Sequence, residues 1–300
     1  MISPQRPVFV YAGVGTSDVW VNQTCKMLGK IIDESLIKRV TSLNALNISV
    51  ELLVVPGGGY LDMFSSIRGT SDRVTEYVFS GGKYLGICAG AIMACDFLIG
   101  KSKLMDSEDP ELQALHRQGF LYEFQVEQPD PWSFHTAVCV APHIIKNPDS
   151  RESLENLTSA DVFFEGTRPS ESFKAIHYSG PAFFDIPAKS KVLLRYNHPI
   201  YLQKMRRIYN AATKFTTYVK QEKIIHEENP VAAFSGSYGS GRFVLTGIHP
   251  EMDSHSLDSW AEEEGFNPDL PIELARSERQ QEEFIYKIFR ELGLQTPPIE

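Results

Sequence analysis

KYLGICAGAIM, residues 83–93, is the stretch that decides the fold. Its first part, up to Ile87, is largely apolar and predicts a buried β-strand, and the residues after Gly90 begin a helical pattern. Between them lies Gly-x-Cys-x-Gly, the pattern of a nucleophile elbow, in which a sharp strand-to-helix turn raises one reactive side chain above the sheet. Cys88 would then lie at a helix N-terminus, where free N–H groups favour the thiolate. An inert structural cysteine is the alternative, because buried cysteines are common.

Strand-like and helix-like segments alternate from residue 7 to about residue 100. Apolar runs at 7–11, 36–40 and 50–55 predict strands, and segments with one apolar helical face separate them from each other and from the elbow. This order is typical of an α/β fold with a doubly wound, mostly parallel sheet of the flavodoxin-like kind. Ligands bind beyond the C-terminal ends of such strands, which is where Cys88 is expected.

The alternation is lost at about 101–158, which we interpret as an insertion after the nucleophile helix. Strands on both sides of a glycine-rich turn at 239–241 predict an antiparallel extension of the sheet. A C-terminal helix is predicted at about 277–292, and its Ser-x-x-Gln start predicts a capping box. We therefore expect residues 1–300 to form a single domain.

Two further motifs supply what a thiol nucleophile needs. The three glycines at 57–59 follow a strand and leave backbone N–H groups free to face a ligand, although a flexible turn explains them equally well. His249 follows another strand, and an imidazole beside a thiol can take its proton. Glu251 comes two residues later, behind a rigid proline, and can accept the other imidazole N–H. Each motif is weak alone, but in this order with the elbow they indicate a Cys-His-Glu triad.

With these motifs the chain resembles the class I glutamine amidotransferase-like domains. The resemblance implies that Cys88 is the nucleophile, His249 the general base and acid, and Glu251 the group that orients the histidine. It also implies an oxyanion hole of backbone N–H groups, from Ala89 and from Gly58 or Gly59. The candidate pocket residues are Tyr11, Gly13, Gly57, His177, Tyr178 and Gly180, although a packed position in the core or at the rim is favoured for His177.

A closer resemblance is to the N-terminal, amidotransferase-like domain of eukaryotic biotin–protein ligases and its free-standing bacterial relatives. The matching segments cover most of the chain outside the insertion: 10–15, 55–58, 86–90, 163–166, 180–183 and 247–251. Glu165 departs from the pattern, since that family tends to have proline there. The glycine- and arginine-rich loop of the ligase's own catalytic part is absent, so we expect a free-standing protein that does not biotinylate by itself.

The sequence leads to two principal functional hypotheses. In the first, the protein is a cysteine-dependent amide hydrolase or amidotransferase that works through a thioester at Cys88. In the second, it is a non-catalytic ligand-binding or regulatory module that keeps the elbow as a scaffold. A protein-interaction surface on the aromatic-rich insertion at about 101–158 is a third alternative.

Composition limits the partners and the compartment. The net charge of −9, from 29 basic and 38 acidic residues, argues against nucleic acid or an anionic membrane as the main partner. We expect a small-molecule or amide substrate, no cofactor and no metal, because the histidines lack metal-ligand spacing. The sequence shows neither a signal peptide nor a long apolar run, and its four cysteines lack framework spacing. These features predict a cytoplasmic protein with free thiols, for which a protein partner remains open.

Overall fold

The computed structural model describes residues 6–95, 97–100, 124–127, 138–140, 158–178, 180–197, 200–210, 215–227, 229–257 and 270–296. The strands are β1 Val8–Tyr11, β2 Ile37–Val40, β3 Leu52–Val55, β4 Lys83–Ile87, β5 Phe97–Gly100, β6 Phe124–Glu127, β7 Val138–Val140, β8 Thr158–Phe164, β9 Phe173–His177, β10 Ala182–Phe184, β11 Lys191–Tyr196, β12 Ile200–Asn210, β13 Phe215–Glu227, β14 Val231–Tyr238 and β15 Gly241–Thr246. The helices are α1 Asp18–Gly29, α2 Tyr60–Ile67, α3 Ser71–Phe79, α4 Ala89–Met93, α5 Leu270–Ala275 and α6 Glu278–Glu291.

One mixed sheet organises the described residues, in the order β2-β1-β3-β4-β15-β14-β10-β7-β5-β6. The first five strands in this order run parallel to one another, and β14 then pairs antiparallel with β15. The antiparallel part continues through β11, β8 and β9. The predicted α/β fold, a mostly parallel sheet with an antiparallel extension, is therefore confirmed.

The inner strands β1, β3 and β4 are mostly apolar on both faces, because each face of the sheet is covered by helices. In β3, Leu52 and Val54 belong to one apolar cluster, while Leu53 and Val55 belong to the other. Residues of α1 and α6 complete the first cluster, and residues of α2, α3 and α4 complete the second. Helices on both faces are what the continuous apolar runs of a doubly wound sheet require.

The predicted insertion lies largely outside the described residues. Its described parts include the strands β6 and β7. β7 joins the main sheet by pairing with β10, and β5 links β7 to β6. The antiparallel ribbon of β12 and β13 was not predicted.

Helix α6 forms the predicted C-terminal helix, but the predicted capping box is wrong. The side chain of Ser277, at the N-cap, makes no capping hydrogen bond. Its hydroxyl oxygen instead accepts the backbone N–H of Lys174 at 2.9 Å, which ties the start of α6 to β9. A tertiary hydrogen bond has therefore replaced the local one. None of the helices in the described ranges is long and apolar enough to span a membrane.

Candidate active site

Two neighbouring parallel strands bring Cys88 and His249 to the same edge of the sheet. β4 and β15 pair in parallel with Ile87 opposite Thr246, so the residues that follow both strands leave the sheet side by side. The N–H of Cys88 donates to the carbonyl oxygen of Thr246 at 2.9 Å, which extends this pairing by one residue. Residues far apart in the sequence thus meet because their strands end in register.

The backbone at Cys88 has the strained geometry of a nucleophile elbow. Its φ of 52° and ψ of −110° lie in a region that residues other than glycine rarely adopt. Two glycines make the turn possible. A Cβ at Gly90 would lie 1.9 Å from the carbonyl oxygen of Val55, and one at Gly86 would lie 2.7 Å from that of Gly90. Strain of this kind clusters at functional sites, where the surrounding structure enforces it.

His249 and Glu251 form a buried pair. Nδ1 of His249 lies 2.8 Å from Oε1 of Glu251, and neither side chain is exposed to solvent. The backbone N–H of His249 donates to Ile176 at the end of β9, which fixes the turn that carries both residues. The second carboxylate oxygen, Oε2, is buried and has no hydrogen-bond partner among the described residues. The negative charge of Glu251 is therefore directed at the imidazole.

The surroundings of His249 favour its charged form. Burial lowers the pKa of the imidazole, but the negative charges of Glu251 and Cys88 and hydrogen bonds to both act in the opposite direction. Together these effects raise the pKa of His249 to about 10. A protonated imidazole beside a cysteine stabilises the thiolate, which is the reactive form of the side chain.

The backbone carbonyl of Tyr178 faces both the thiol of Cys88 and the imidazole of His249. Its oxygen lies 3.3 Å from Sγ of Cys88 and 3.4 Å from Nε2 of His249. Cys88 is 5% exposed and His249 1% exposed, whereas Tyr178 itself is 36% exposed. The turn that follows β9 therefore covers the thiol and the imidazole in this conformation.

Trp20, in the first turn of α1, is a site residue that the sequence interpretation missed. Its ring stacks on the imidazole of His249, with centroids 4.1 Å apart and planes inclined by 29°. It also contacts the ring of Tyr178 at a centroid distance of 5.8 Å, and only 3% of it is exposed. The available signal was an aromatic residue at the start of the helix after β1, close to the sheet edge where ligands bind.

The glycine turn after β3 lies against the imidazole of His249. A Cβ at Gly57 would lie 2.7 Å from Cε1 of His249, so only glycine fits beside the ring as it stands. Ala89 is the first residue of α4, and neither its N–H nor that of Gly58 has a hydrogen-bond acceptor within the described part of the chain. The N–H of Gly59 already donates to the carbonyl oxygen of Gly15 at 2.7 Å, so Gly59 is not a free oxyanion donor, contrary to the expectation.

Several of the candidate pocket residues are packed inside the protein. Tyr11 is fully buried, and its hydroxyl hydrogen-bonds to Ser66 at 2.9 Å. A Cβ at Gly13 would lie 2.5 Å from that hydroxyl oxygen, so Gly13 serves the packing of the tyrosine. His177 is 1% exposed, and its Nε2 lies 3.0 Å from the carbonyl oxygen of Gly180. Of the six, Gly57 and Tyr178 lie close to both Cys88 and His249.

The comparison with protein families places the chain. The family model described as "Biotin-protein ligase, N terminal" matches residues 6–116 and 156–299, which is most of the sequence. The chain belongs to this family. The two matched segments leave out residues 117–155, which lie within the predicted insertion.

Two relatives of this biotin-protein ligase N-terminal family member match it over only part of their own length. A biotin–protein ligase of Schizosaccharomyces pombe is 25% identical over 300 residues, covering 97% of the chain and 38% of that protein. An uncharacterized protein of Chlamydia muridarum is 30% identical over 105 residues, covering 29% of the chain and 37% of that protein. The matches thus span less than two fifths of either relative.

A solved structure confirms the fold of this family member. The structure of a glutamine amidotransferase from Thermotoga maritima covers 96% of the chain and 99% of its own, with a TM-score of 0.50 and 12% identity. At that identity the similarity concerns the fold alone. The chain is a biotin-protein ligase N-terminal family member with a glutamine amidotransferase-like fold.

Proposed function

We propose that the protein is a cysteine-dependent hydrolase or amidotransferase that cleaves an amide through a thioester at Cys88. One observation carries the proposal: the strained cysteine lies beside a buried histidine whose Nδ1 lies 2.8 Å from Oε1 of Glu251. In this arrangement the carboxylate fixes the tautomer and orientation of the imidazole, and the imidazole activates the thiol.

The chemistry follows from the positions of these groups. The thiolate of Cys88 attacks the amide carbon, and the carbonyl electron pair moves to oxygen, where the N–H groups of Gly58 and Ala89 stabilise it. The carbon–nitrogen bond then breaks as the oxygen re-forms its double bond, and Nε2 of His249 gives its proton to the departing nitrogen. An amine or ammonia leaves, and an acyl thioester remains on Cys88.

Water completes the cycle in a hydrolase. The neutral imidazole of His249 takes a proton from water as the water oxygen attacks the thioester carbon. Collapse of this second tetrahedral intermediate expels the thiolate and releases a carboxylic acid, which restores the starting ion pair. In an amidotransferase the released ammonia passes to an acceptor. Removing one oxyanion donor in enzymes of this type costs about 3–4 kcal/mol of barrier.

The experiment is a search for the thioester and for ammonia or amine release. Wild-type protein is incubated with a panel of amides, glutamine first, and the mass of the Cys88 peptide is measured after rapid acid quenching. We expect an acyl adduct in wild type and none in Cys88→Ala, with activity also lost in His249→Ala. Cys25→Ser is the matched control, because Cys25 is a half-buried free thiol outside the pair. Turnover that survives both Cys88→Ala and His249→Ala contradicts the proposal.

The closed state of the site favours a second candidate, a ligand-binding or regulatory module. The carbonyl oxygen of Tyr178 lies 3.3 Å from Sγ and 3.4 Å from Nε2, where reacting atoms would have to enter. A thermal-shift screen separates the two functions. A ligand that stabilises wild type and Cys88→Ala equally, with no adduct and no turnover, supports the binding module.

A further inference from the structure

The imidazole of His249 has an uncharged indole on one face and a hydrogen-bond acceptor beside each of its two nitrogens. Trp20 covers the ring face at a centroid distance of 4.1 Å. Glu251 faces Nδ1 at 2.8 Å, and the carbonyl oxygen of Tyr178 faces Nε2 at 3.4 Å. At the ring edge, position 57 leaves no room for a side chain beside Cε1.

Acceptors at both nitrogens favour a ring that carries a proton on each. A neutral imidazole has one N–H and one lone pair, so it would turn that lone pair towards an oxygen atom. An imidazolium donates at both nitrogens and matches what the site presents. Cys88 and Glu251 are the titratable groups of the described chain that act on the ring, and both favour the positive charge. The elements of Trp20, Gly57 and Tyr178 present an indole, backbone and a carbonyl to it.

A stacked indole adds to this preference. The face of an aromatic ring is electron-rich, and tryptophan is the strongest of the side chains that bind cations in this way. The attraction is largest where water is excluded, and Trp20 and His249 are 3% and 1% exposed. A residue that only filled space could be any large apolar side chain.

We propose that Trp20 is a positioning residue that favours the imidazolium form of His249, and thereby the thiolate form of Cys88. The inference rests on the proposed function for its purpose, since a thiolate–imidazolium pair is the reactive state of a cysteine hydrolase. It adds a residue from α1 to a site otherwise built from β4, β15 and the turns after β3 and β9. During acylation the proton held on Nε2 is the one given to the departing nitrogen.

The test is the pH dependence of Cys88 alkylation by iodoacetate, measured on the Cys88 peptide by mass spectrometry. This reagent is an anion, so it reacts fastest where the thiolate and the imidazolium coexist, and its rate falls on the acid and the alkaline side. Without the indole we expect the imidazolium to lose its proton about one pH unit lower, a tenfold change. In Trp20→Leu the midpoint of the fall in rate on the alkaline side should therefore shift about one pH unit lower. The midpoint on the acid side should shift to higher pH. Trp20→Phe keeps a weaker aromatic face and should lie between.

A second measurement leaves the shape of the site unchanged. The chain has three tryptophans, and replacing them with mono- and difluorinated tryptophan progressively weakens the ring's attraction for cations. The alkaline limb should move down stepwise with each fluorine, and the same labelling of Trp20→Phe should leave it in place. This arm applies even if Trp20→Leu fails to fold.

The outcomes separate the inference from the function on which it rests. A wild-type profile with both limbs that does not respond to fluorination or to Trp20→Phe overturns the role of Trp20 and leaves the proposed function intact. A wild-type profile without an alkaline limb means that no imidazolium acts on the thiol. That result overturns both.

Discussion

Replacing Gly57 by alanine should disturb the candidate active site while leaving the sheet intact. A Cβ at position 57 lies 2.7 Å from Cε1 of His249 and 3.5 Å from Cβ of Cys88. The first distance is shorter than stable contacts allow, whereas the second is ordinary. The new methyl group therefore pushes on the imidazole and spares the thiol.

The size of that displacement follows from the same distance. To reach an ordinary carbon–carbon contact of about 3.5 Å, Cε1 must retreat by about 0.8 Å. The ring has little freedom to do so, since Trp20 stacks on its face at 4.1 Å and Glu251 holds Nδ1 at 2.8 Å. A misplacement of about 1 Å in an active site can cost roughly 100-fold in rate. We therefore expect Cys88 in Gly57→Ala to react at least about tenfold more slowly than in wild type.

The assay is the rate of Cys88 alkylation by iodoacetamide at pH 7, followed on the isolated peptide because other free thiols are present. Gly59→Ala is the matched control from the same turn. Its nearest neighbour would be Oδ2 of Asp62 at 3.4 Å, so it should react like wild type. Circular dichroism checks that both variants are folded. Equal rates in wild type and both variants would refute the claim that the imidazole controls the reactivity of the thiol.

Three further predictions concern stability. Because φ at Cys88 is 52°, Cys88→Gly should be more stable than Cys88→Ala, by about 1–3 kcal/mol in urea unfolding; equal stabilities would mean the elbow is unstrained. The pKa of His249 is raised from 6.5 to about 10, so binding of its proton stabilises the folded state fully below pH 6.5, and this stabilisation is lost as the pH rises towards 10. The free energy of unfolding of wild type should therefore fall across that window relative to His249→Gln, and parallel curves would contradict it. A Cβ at Gly180 would lie 1.6 Å from the carbonyl oxygen of Gly247, so Gly180→Ala should lower the melting temperature strongly. Gly69→Ala, with open space around it, should not; similar melting temperatures would show that the turn can shift.

The parts of the site that depend on local sequence pattern could be predicted from the sequence. The apolar run before Cys88, the two glycines around it and the short span between His249 and Glu251 are each visible within a few residues. The parallel sheet could also be predicted, because alternating strands and helices constrain the topology strongly. Placing Cys88 and His249 at one edge then required only that both follow strands of that sheet.

Contacts set by packing between distant elements could not be predicted. Trp20 belongs to a helix whose rotation about its axis brings the indole onto the imidazole, and amphipathic spacing does not specify that angle finely enough. Gly59 shows the same limit, since its N–H is taken by Gly15 from the loop after β1. Ser277 had a local partner available at the start of α6, yet its hydroxyl binds the backbone of Lys174 instead.

The contact of the Tyr178 carbonyl oxygen with Cys88 and His249 also distinguishes the two candidate functions of the site. For acylation, an amide carbon must come within about 3–3.5 Å of the sulfur of Cys88, and the carbonyl oxygen of Tyr178 already lies 3.3 Å from that atom. A hydrolase must therefore displace the turn after β9 when it binds substrate. That turn is held by the hydrogen bond between His177 and Gly180 and by close packing of Gly180 on Gly247. A binding module needs no such displacement, because its ligand can rest on the exposed side of Tyr178. Whether a bound amide frees Sγ and Nε2 from this carbonyl is thus the physical event on which catalysis at Cys88 depends.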